Sequence, residues 1–287
     1  MAKKALILSV LFLATVPLGW YLSDSLGIIF FDDAWWLLLA ATVLGAVLGI
    51  YSGLTRPREQ ISGEKIERHG ARGFLSHWGT SVGIFVCLGT GIYMGFLIID
   101  PFMETIADTA LPLNLHFTGV ALLLFAGFFF AMDYLVMRDW DRLIPNVKDI
   151  FHGMLGKYFL RRKWHAETKY LSSQKVAALG MGAIGAVILL TGAFKVASRI
   201  WDLSADIWGW MTLFHDIFTA LFIFMLAIHI ILVLVLKSHW PTLTSWITGS
   251  VGRDYVEEHH PVWYREITSG KQRAYKLFGY EEDRSEK

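Results

Sequence analysis

The chain alternates long apolar blocks with short polar connections. Six blocks stand out, at roughly residues 5–22, 34–54, 78–99, 115–137, 176–196 and 211–236. Each runs about 18–26 residues, which at 1.5 Å rise per residue is enough to cross ~30 Å of hydrocarbon. In lipid every backbone N–H and C=O needs a partner within the protein, so these blocks are predicted to be helices. The pattern predicts an all-α polytopic membrane helix bundle with about six transmembrane helices.

The first block follows Lys3 and Lys4 as a signal peptide would. Its apolar run is long, Pro17 interrupts it, no A-x-A-like cleavage site follows, and a second block comes soon after. It is read as a retained helix. The first two blocks hold no histidine and few polar residues, so residues 1–56 read as an appended N-terminal transmembrane hairpin. A core over 57–250 follows, including a loop at 138–175, and then a tail over 251–287. That loop mixes charges with Trp140, Ile144, Ile150, Phe151 and Tyr158. Two readings stand for it: an interfacial amphipathic helix, or a solvated loop with scattered aromatics.

Lysine and arginine set the orientation. The connection at 55–76 carries Arg56, Arg58, Lys65, Arg68 and Arg72, the loop 138–175 carries nine basic residues, and the tail from Lys237 carries eight. The opposite side carries Asp24, Asp32, Asp33, Asp100, Glu104, Asp108, Asp202 and Asp206, with Lys195 and Arg199 as its basic residues. The expectation is a multi-pass protein of the bacterial cytoplasmic (inner) membrane with both termini cytoplasmic. Only 18% of residues are charged, against about a quarter in soluble domains, which excludes an ordinary soluble enzyme. A net charge of +1 leaves no basic footprint for nucleic acid. A single cysteine, Cys87, excludes a disulfide framework, a Cys-ligated iron–sulfur cluster and covalent haem attachment.

Of ten histidines, four lie in or at the edge of apolar blocks: His77, His116, His215 and His229. Ionisable groups at membrane depth are costly and are functional candidates by default. A lone one can equally be an interhelical hydrogen-bond donor; four at matched depths favour ligation. His77 opens its span on the basic side, whereas His116 and His215 lie near the acidic side. His229 follows His215 by fourteen residues on one helix, about 21 Å deeper and within about 40° of the same face. The pairing is then His116 with His215 outside and His77 with His229 inside. Zinc would want its ligands clustered. Two axial imidazoles on a planar macrocycle fit the spacing, so two haems b are predicted in a four-helix dihaem core. Six-coordinate iron favours electron transfer over substrate chemistry. Gly83 and Gly119 offer room for a macrocycle or, equally, for close helix packing. Trp78 is a candidate haem wall, as it is an interface-belt aromatic.

Several motifs then resemble a family. Ser76-His77-Trp78 with Gly89-Thr90-Gly91, Leu115-His116 with Gly119, Ile144-Pro145 with Lys148-Asp149-Ile150, Lys169-Tyr170 with Gln174-Lys175, and the tail His259-His260-Pro261-Val262-Trp263-Tyr264-Arg265-Glu266-Ile267 resemble the gamma subunit of membrane-bound formate dehydrogenase. The resemblance covers roughly residues 70–275 and leaves the N-terminal hairpin outside. It implies a dihaem cytochrome b of a respiratory chain, with the four histidines as axial ligands paired as above. It also implies a quinone (menaquinone or ubiquinone) handled beside the inner haem, which involves His229 and a polar residue after the Lys-Tyr pair. Here that residue is Leu171, which has no amide to offer. Ser172, Ser173 and Gln174 are the candidates in its stead, and Tyr170 is carried with them as a quinone-site residue.

The expected function is electron transport between an outer-face iron–sulfur subunit, with its catalytic oxidoreductase subunit, and the quinone pool. Substrate chemistry would sit on that partner, and no catalytic residue is expected on this chain beyond the quinone site. Alternatives are the same scaffold running from quinol to an outer reductase or serving a hydrogenase, and a non-haem anchor or transporter. A proton-relay transporter would need more carboxylates within the spans than Asp133 and Asp216.

Overall fold

Hydrocarbon-length apolar runs become helices here because only an intra-segment ladder satisfies the backbone in lipid. The computed structural model describes residues 27–55, 61–95, 106–137, 140–156 and 166–269, together with Tyr21 and Leu160. A short helix α1 (Phe30–Asp33) leads into α2 (Trp36–Thr55), α3 (Ala71–Gly95), α4 (Ile106–Met137), the short α5 (Trp140–Leu143), α6 (Ser172–Ile200) and α7 (Ala205–Val235). Five helices, α2, α3, α4, α6 and α7, are long and apolar enough to cross a membrane. The predicted first span, 5–22, lies outside the described residues except for Tyr21.

The helices outrun the apolar blocks. α3 starts at Ala71 rather than residue 78, and α4 at Ile106 rather than 115. Hydropathy marks the part of a helix that meets lipid. The backbone ladder continues through Ser76, His77 and Asn114 because it needs no apolar side chains. His77 and His116 therefore stand inside helices rather than at their first residues.

Small residues bring the helices together. On α2, Gly45, Gly49 and Gly53 recur every fourth position and face α4. A Cβ at Gly45 or Gly49 would run into the backbone oxygen of Phe125 or Phe129, and one at Gly53 would sit 2.7 Å from Val136 Cβ. This is the close small-residue approach that drives association where lipid removes the hydrophobic driving force. α3 and α4 meet in the same way at Gly79, Gly83 and Gly119. α6 and α7 form a second packed pair, with Gly180 against Met225. Among the described residues, no extended contact joins α3 or α4 to α6 or α7. Two helical units thus face each other across a seam that their backbones do not close.

A polar cap covers one end of the bundle, with two local features. The first is a three-stranded antiparallel sheet. β1 (Ile61–Ser62) pairs with β2 (Lys65–Glu67), which pairs with β3 (Ser250–Gly252) after α8 (Trp240–Thr248). The second is a π-helical segment, Asp149–Gly156, within the 138–175 loop. Helices α9 (Arg253–His259) and α10 (Pro261–Thr268) close the cap over a core of Ile66, Val251, Val256 and Trp263. The domain boundary expected at 250/251 falls within β3, so the tail begins as an integral strand of the cap.

The cap is bound together by buried charge. Lys175 Nζ meets Asp149 Oδ2 at 3.1 Å with both side chains 1% exposed. Arg142 pairs with Glu266 at 3.3 Å. His260 Nδ1 donates to Thr168 O at 2.6 Å, since a carbonyl can only accept.

Candidate functional site

Each of the four intramembrane histidines comes from a different place on three helices: His77 from α3, His116 from α4, and His215 and His229 from α7. The structure brings them together in two pairs. His116 lies within electrostatic reach of His215, and His77 within that of His229. In both pairs the partners come from helices with no extended backbone contact among the described residues.

At the acidic end both rings are held through Nδ1. Thr90 Oγ1 lies 2.9 Å from His116 Nδ1. Thr191 Oγ1 lies 3.1 Å from His215 Nδ1, and Ile188 O lies 3.0 Å from the same nitrogen. Among the described residues no hydrogen bond reaches Nε2 of either ring. Nδ1 engaged and Nε2 bare is the arrangement of a metal-ligating imidazole. The glycines beside the rings are Gly91, whose Cβ would lie 3.7 Å from His116 Cε1, and Gly192, whose Cβ would lie 3.3 Å from His215 Cε1. Asp216, a candidate partner for His215, is exposed and is not bonded to the ring. Successive helix residues point about 100° apart, so a neighbour in sequence cannot reach the same ring edge.

The segment before α2 lies over this end. Asn114 Oδ1 accepts from Phe30 N at 2.9 Å, and its amide donates to Ile28 O at 2.7 Å. Phe31 sits 6.3 Å from the His116 ring, and Arg199 Nε donates to Asp32 Oδ1 at 2.7 Å.

At the basic end Trp246 of α8 stacks on His77, with ring centroids 4.3 Å apart, and on His69, 3.4 Å apart. Trp78 meets His77 edge-on at 5.2 Å and donates from Nε1 to Trp246 O at 3.1 Å. Trp78 thus ties α3 to the backbone of the residue whose indole supports His77. A cavity of about 450 Å³ is lined in part by Lys65, Glu67, His69, Phe74 and Trp246. Tyr170 is buried beside it, its ring 6.2 Å from His69 and its hydroxyl bonded to that of Tyr134.

Ser172 and Gln174 have other work. Ser172 Oγ bonds Glu167 Oε2 at 2.8 Å and Asp149 Oδ1 at 3.1 Å. Gln174 Oε1 accepts from Leu171 N at 3.1 Å and from Arg68 Nη2 at 3.2 Å. Gln174 thus satisfies a backbone N–H at the start of α6, as Glu167 Oε2 does by accepting from Ser172 N at 2.8 Å. Leu171 is buried at the helix start. Gly83 and Gly119 lie in the α3–α4 contact, where a Cβ would come within 2.9 Å of Gly119 O and 2.8 Å of Cys87 Sγ respectively. That is the helix-packing role.

Thr191, Ile188, Gly192, Trp246 and His69 did not emerge as site residues from the sequence. One signal was available for the first of them. A Thr-Gly pair precedes each acidic-end histidine, at 90–91 and at 191–192. Trp246 carried no such signal, because its contact with His77 is made only through the folded cap.

Comparison with known proteins bears on the same region. A family described as prokaryotic cytochrome b561 matches residues 68–249. The formate dehydrogenase cytochrome b556 subunit of Haemophilus influenzae is 25% identical over 212 residues, covering 72% of this chain and 85% of that one. The nitrate-inducible formate dehydrogenase cytochrome b556(Fdn) subunit of Escherichia coli K12 is 25% identical over 198 residues, covering 67% and 86%. The cytochrome b556(fdo) subunit of the same organism is 24% identical over 212 residues, covering 71% and 94%. The matched span holds α3 through α8 and all four intramembrane histidines. This chain, an all-α multi-pass bacterial membrane protein, belongs to the prokaryotic cytochrome b561 family.

Proposed function

We propose that this protein is the membrane cytochrome b subunit of a respiratory oxidoreductase resembling formate dehydrogenase. It carries electrons between an iron–sulfur partner on the outer face and the quinone pool. The observation that carries the reading is the approach of two imidazole pairs, each from helices with no extended backbone contact among the described residues. Haem b, when bound, supplies reversible one-electron chemistry without covalent attachment. His116 and His215 would hold one haem through Nε2, and His77 and His229 a second. The bare Nε2 atoms, with little bulk at Gly91 and Gly192 beside the rings, are the donors that would hold the group.

The quinone binds beside His229 and Tyr170 at the basic, cytoplasmic end, with Ser172 and Gln174 holding the α6 start beneath it. Both termini lie on that side. A catalytic oxidoreductase subunit, with its iron–sulfur partner, docks at the acidic outer face, as the names of the relatives suggest.

The native complex, purified from membranes, tests this. Two b haems per chain with bis-imidazole spectra are expected. His116→Ala or His215→Ala should remove one haem and leave the other, and His77→Ala or His229→Ala should remove the other. A colourless chain, or single replacements that each abolish both haems in folded protein, would overturn the reading.

A further inference from the structure

The two acidic-end histidines are gripped alike. His116 on α4 is met by Thr90-Gly91 on α3, the helix before it. His215 on α7 is met by Thr191-Gly192 on α6, again the helix before it. Each helical hairpin therefore supplies one imidazole and one Thr-Gly pair that holds it.

The hydrogen bonds fix the proton. A threonine hydroxyl has one hydrogen. Thr90 Oγ1 lies 2.7 Å from Val86 O and 3.2 Å from Cys87 O, and both acceptors can only take that hydrogen. Its lone pairs are left for His116, so His116 Nδ1 must be the donor. Thr191 Oγ1 likewise lies 2.9 Å from Val187 O and 3.0 Å from Ile188 O. His215 Nδ1 faces both Thr191 Oγ1 and the Ile188 carbonyl, and only an N–H suits a carbonyl. Both rings thus carry a proton on Nδ1 and turn Nε2 elsewhere.

Helix-interior threonines commonly bond back to the carbonyl four residues earlier, and that alone is a local habit. Here the habit has a second consequence. It aims the hydroxyl hydrogen down the helix and leaves an acceptor facing the neighbouring imidazole. The glycine that follows leaves room for the ring.

We propose that Thr90 and Thr191 are positioning residues for the outer haem, acting by accepting from Nδ1–H of His116 and His215. Their acceptance fixes the tautomer and increases the electron donation of Nε2 to iron. Greater donation stabilises the ferric state and holds the outer midpoint potential low. Each ring also faces a backbone carbonyl, that of Ile188 for His215 and that of Cys87 for His116, so the two grips are alike in this too. This inference rests on the haem reading above.

Redox titration of the purified complex, resolved by haem, tests it. Thr90→Val keeps the volume and removes the acceptor. The outer haem should remain, with its reduced:oxidised ratio at the wild-type midpoint raised several-fold; a tenfold change corresponds to about 59 mV for one electron. Thr191→Val should shift it in the same direction, and Thr90→Ser should keep the wild-type value. The inner-haem midpoint serves as internal reference and should not move. If Thr90→Val empties the outer site, retention in Thr90→Ser still supports the hydroxyl. An unshifted outer potential, or equal loss of haem in the Val and Ser variants, overturns the proposal. A wild-type complex without haem would overturn the haem reading itself, and this proposal with it, before any threonine is changed.

Discussion

Ser52 on α2 donates its hydroxyl to Asp133 Oδ1 on α4, and both side chains are buried within membrane-spanning helices. Arg72 of α3 reaches the same place, bonding Ser52 O and Thr55 Oγ1. This polar knot lies at the end of the Gly45–Gly49–Gly53 ridge. The appended helix is thus fastened to the histidine-bearing core by a glycine seam along its length and a hydrogen-bonded clasp at one end. Asp133 thereby has a structural task that a proton-relay reading would leave unexplained.

That fastening predicts a stability effect separable from cofactor content. Gly49→Leu would drive a side chain into the Phe129 backbone, and overpacking costs typically ~1–3 kcal/mol. Asp133→Ala would leave the Ser52 hydroxyl without this acceptor, at about 1–3 kcal/mol. Both variants should melt earlier in detergent while keeping the wild-type haem count. Loss of haem in step with loss of α2 packing would show that the appended helix shapes the cofactor site directly.

A second prediction concerns Trp246. Its indole stacks on His77, and its backbone carbonyl accepts from Trp78 Nε1. Trp246→Ala should lower inner-haem retention, since it removes a stacking contact worth about 0.5–1.5 kcal/mol beyond its burial and leaves a void beside His77. Haem quantitation should show depletion of the His77/His229 centre with the His116/His215 centre unchanged. Equal depletion of both would count against a local role.

The contrast between these two sites explains what the sequence revealed. Spans and paired histidines were legible because lipid imposes length and helical geometry imposes depth and facing. The fourteen-residue spacing of His215 and His229 needs only the helix rise. The glycines of α2 could have been read as a packing ridge from their four-residue spacing alone. Trp246, His69 and the sheet strands could not. Each acquires its neighbours through the cap, where β2 and β3 come from segments far apart in sequence. The partners of Ser172 and Gln174 were hidden for the same reason: polarity near Lys169-Tyr170 was visible, but Glu167, Asp149 and Arg68, which they bond, were not.

The buried pair Lys175–Asp149 gives a third prediction. Removing one member leaves an uncompensated charge in a dry environment, at about 3–5 kcal/mol. Asp149→Ala should therefore unfold the cap, read as an early melting transition and as protease sensitivity of the 140–171 region. The paired replacement Asp149→Leu with Lys175→Met should recover most of that loss, because both charges leave together. If the double variant were as unstable as the single one, the hydrogen bond from Ser172 Oγ to Asp149 would be the contact that matters.

Tyr170 gives the sharpest test of the quinone end. Its hydroxyl bonds Tyr134 in a buried position, and its ring lies 6.2 Å from His69 at the lined cavity. A phenol in that place can donate to a quinone carbonyl, whereas Ser172 and Gln174 are already engaged at the start of α6. Tyr170→Phe keeps the ring and its contacts with Lys169 and Arg68 but removes the donor. Losing a hydrogen bond made in the transition state typically costs about 10²–10³-fold when the donor polarises the reacting oxygen. Quinone reduction by the complex should fall by roughly that much at most, with both haems still reducible by dithionite. Ser172→Ala, by contrast, should lower stability more than turnover. Wild-type turnover in Tyr170→Phe, together with a selective turnover defect in Ser172→Ala, would move the quinone away from the tyrosine and towards the start of α6.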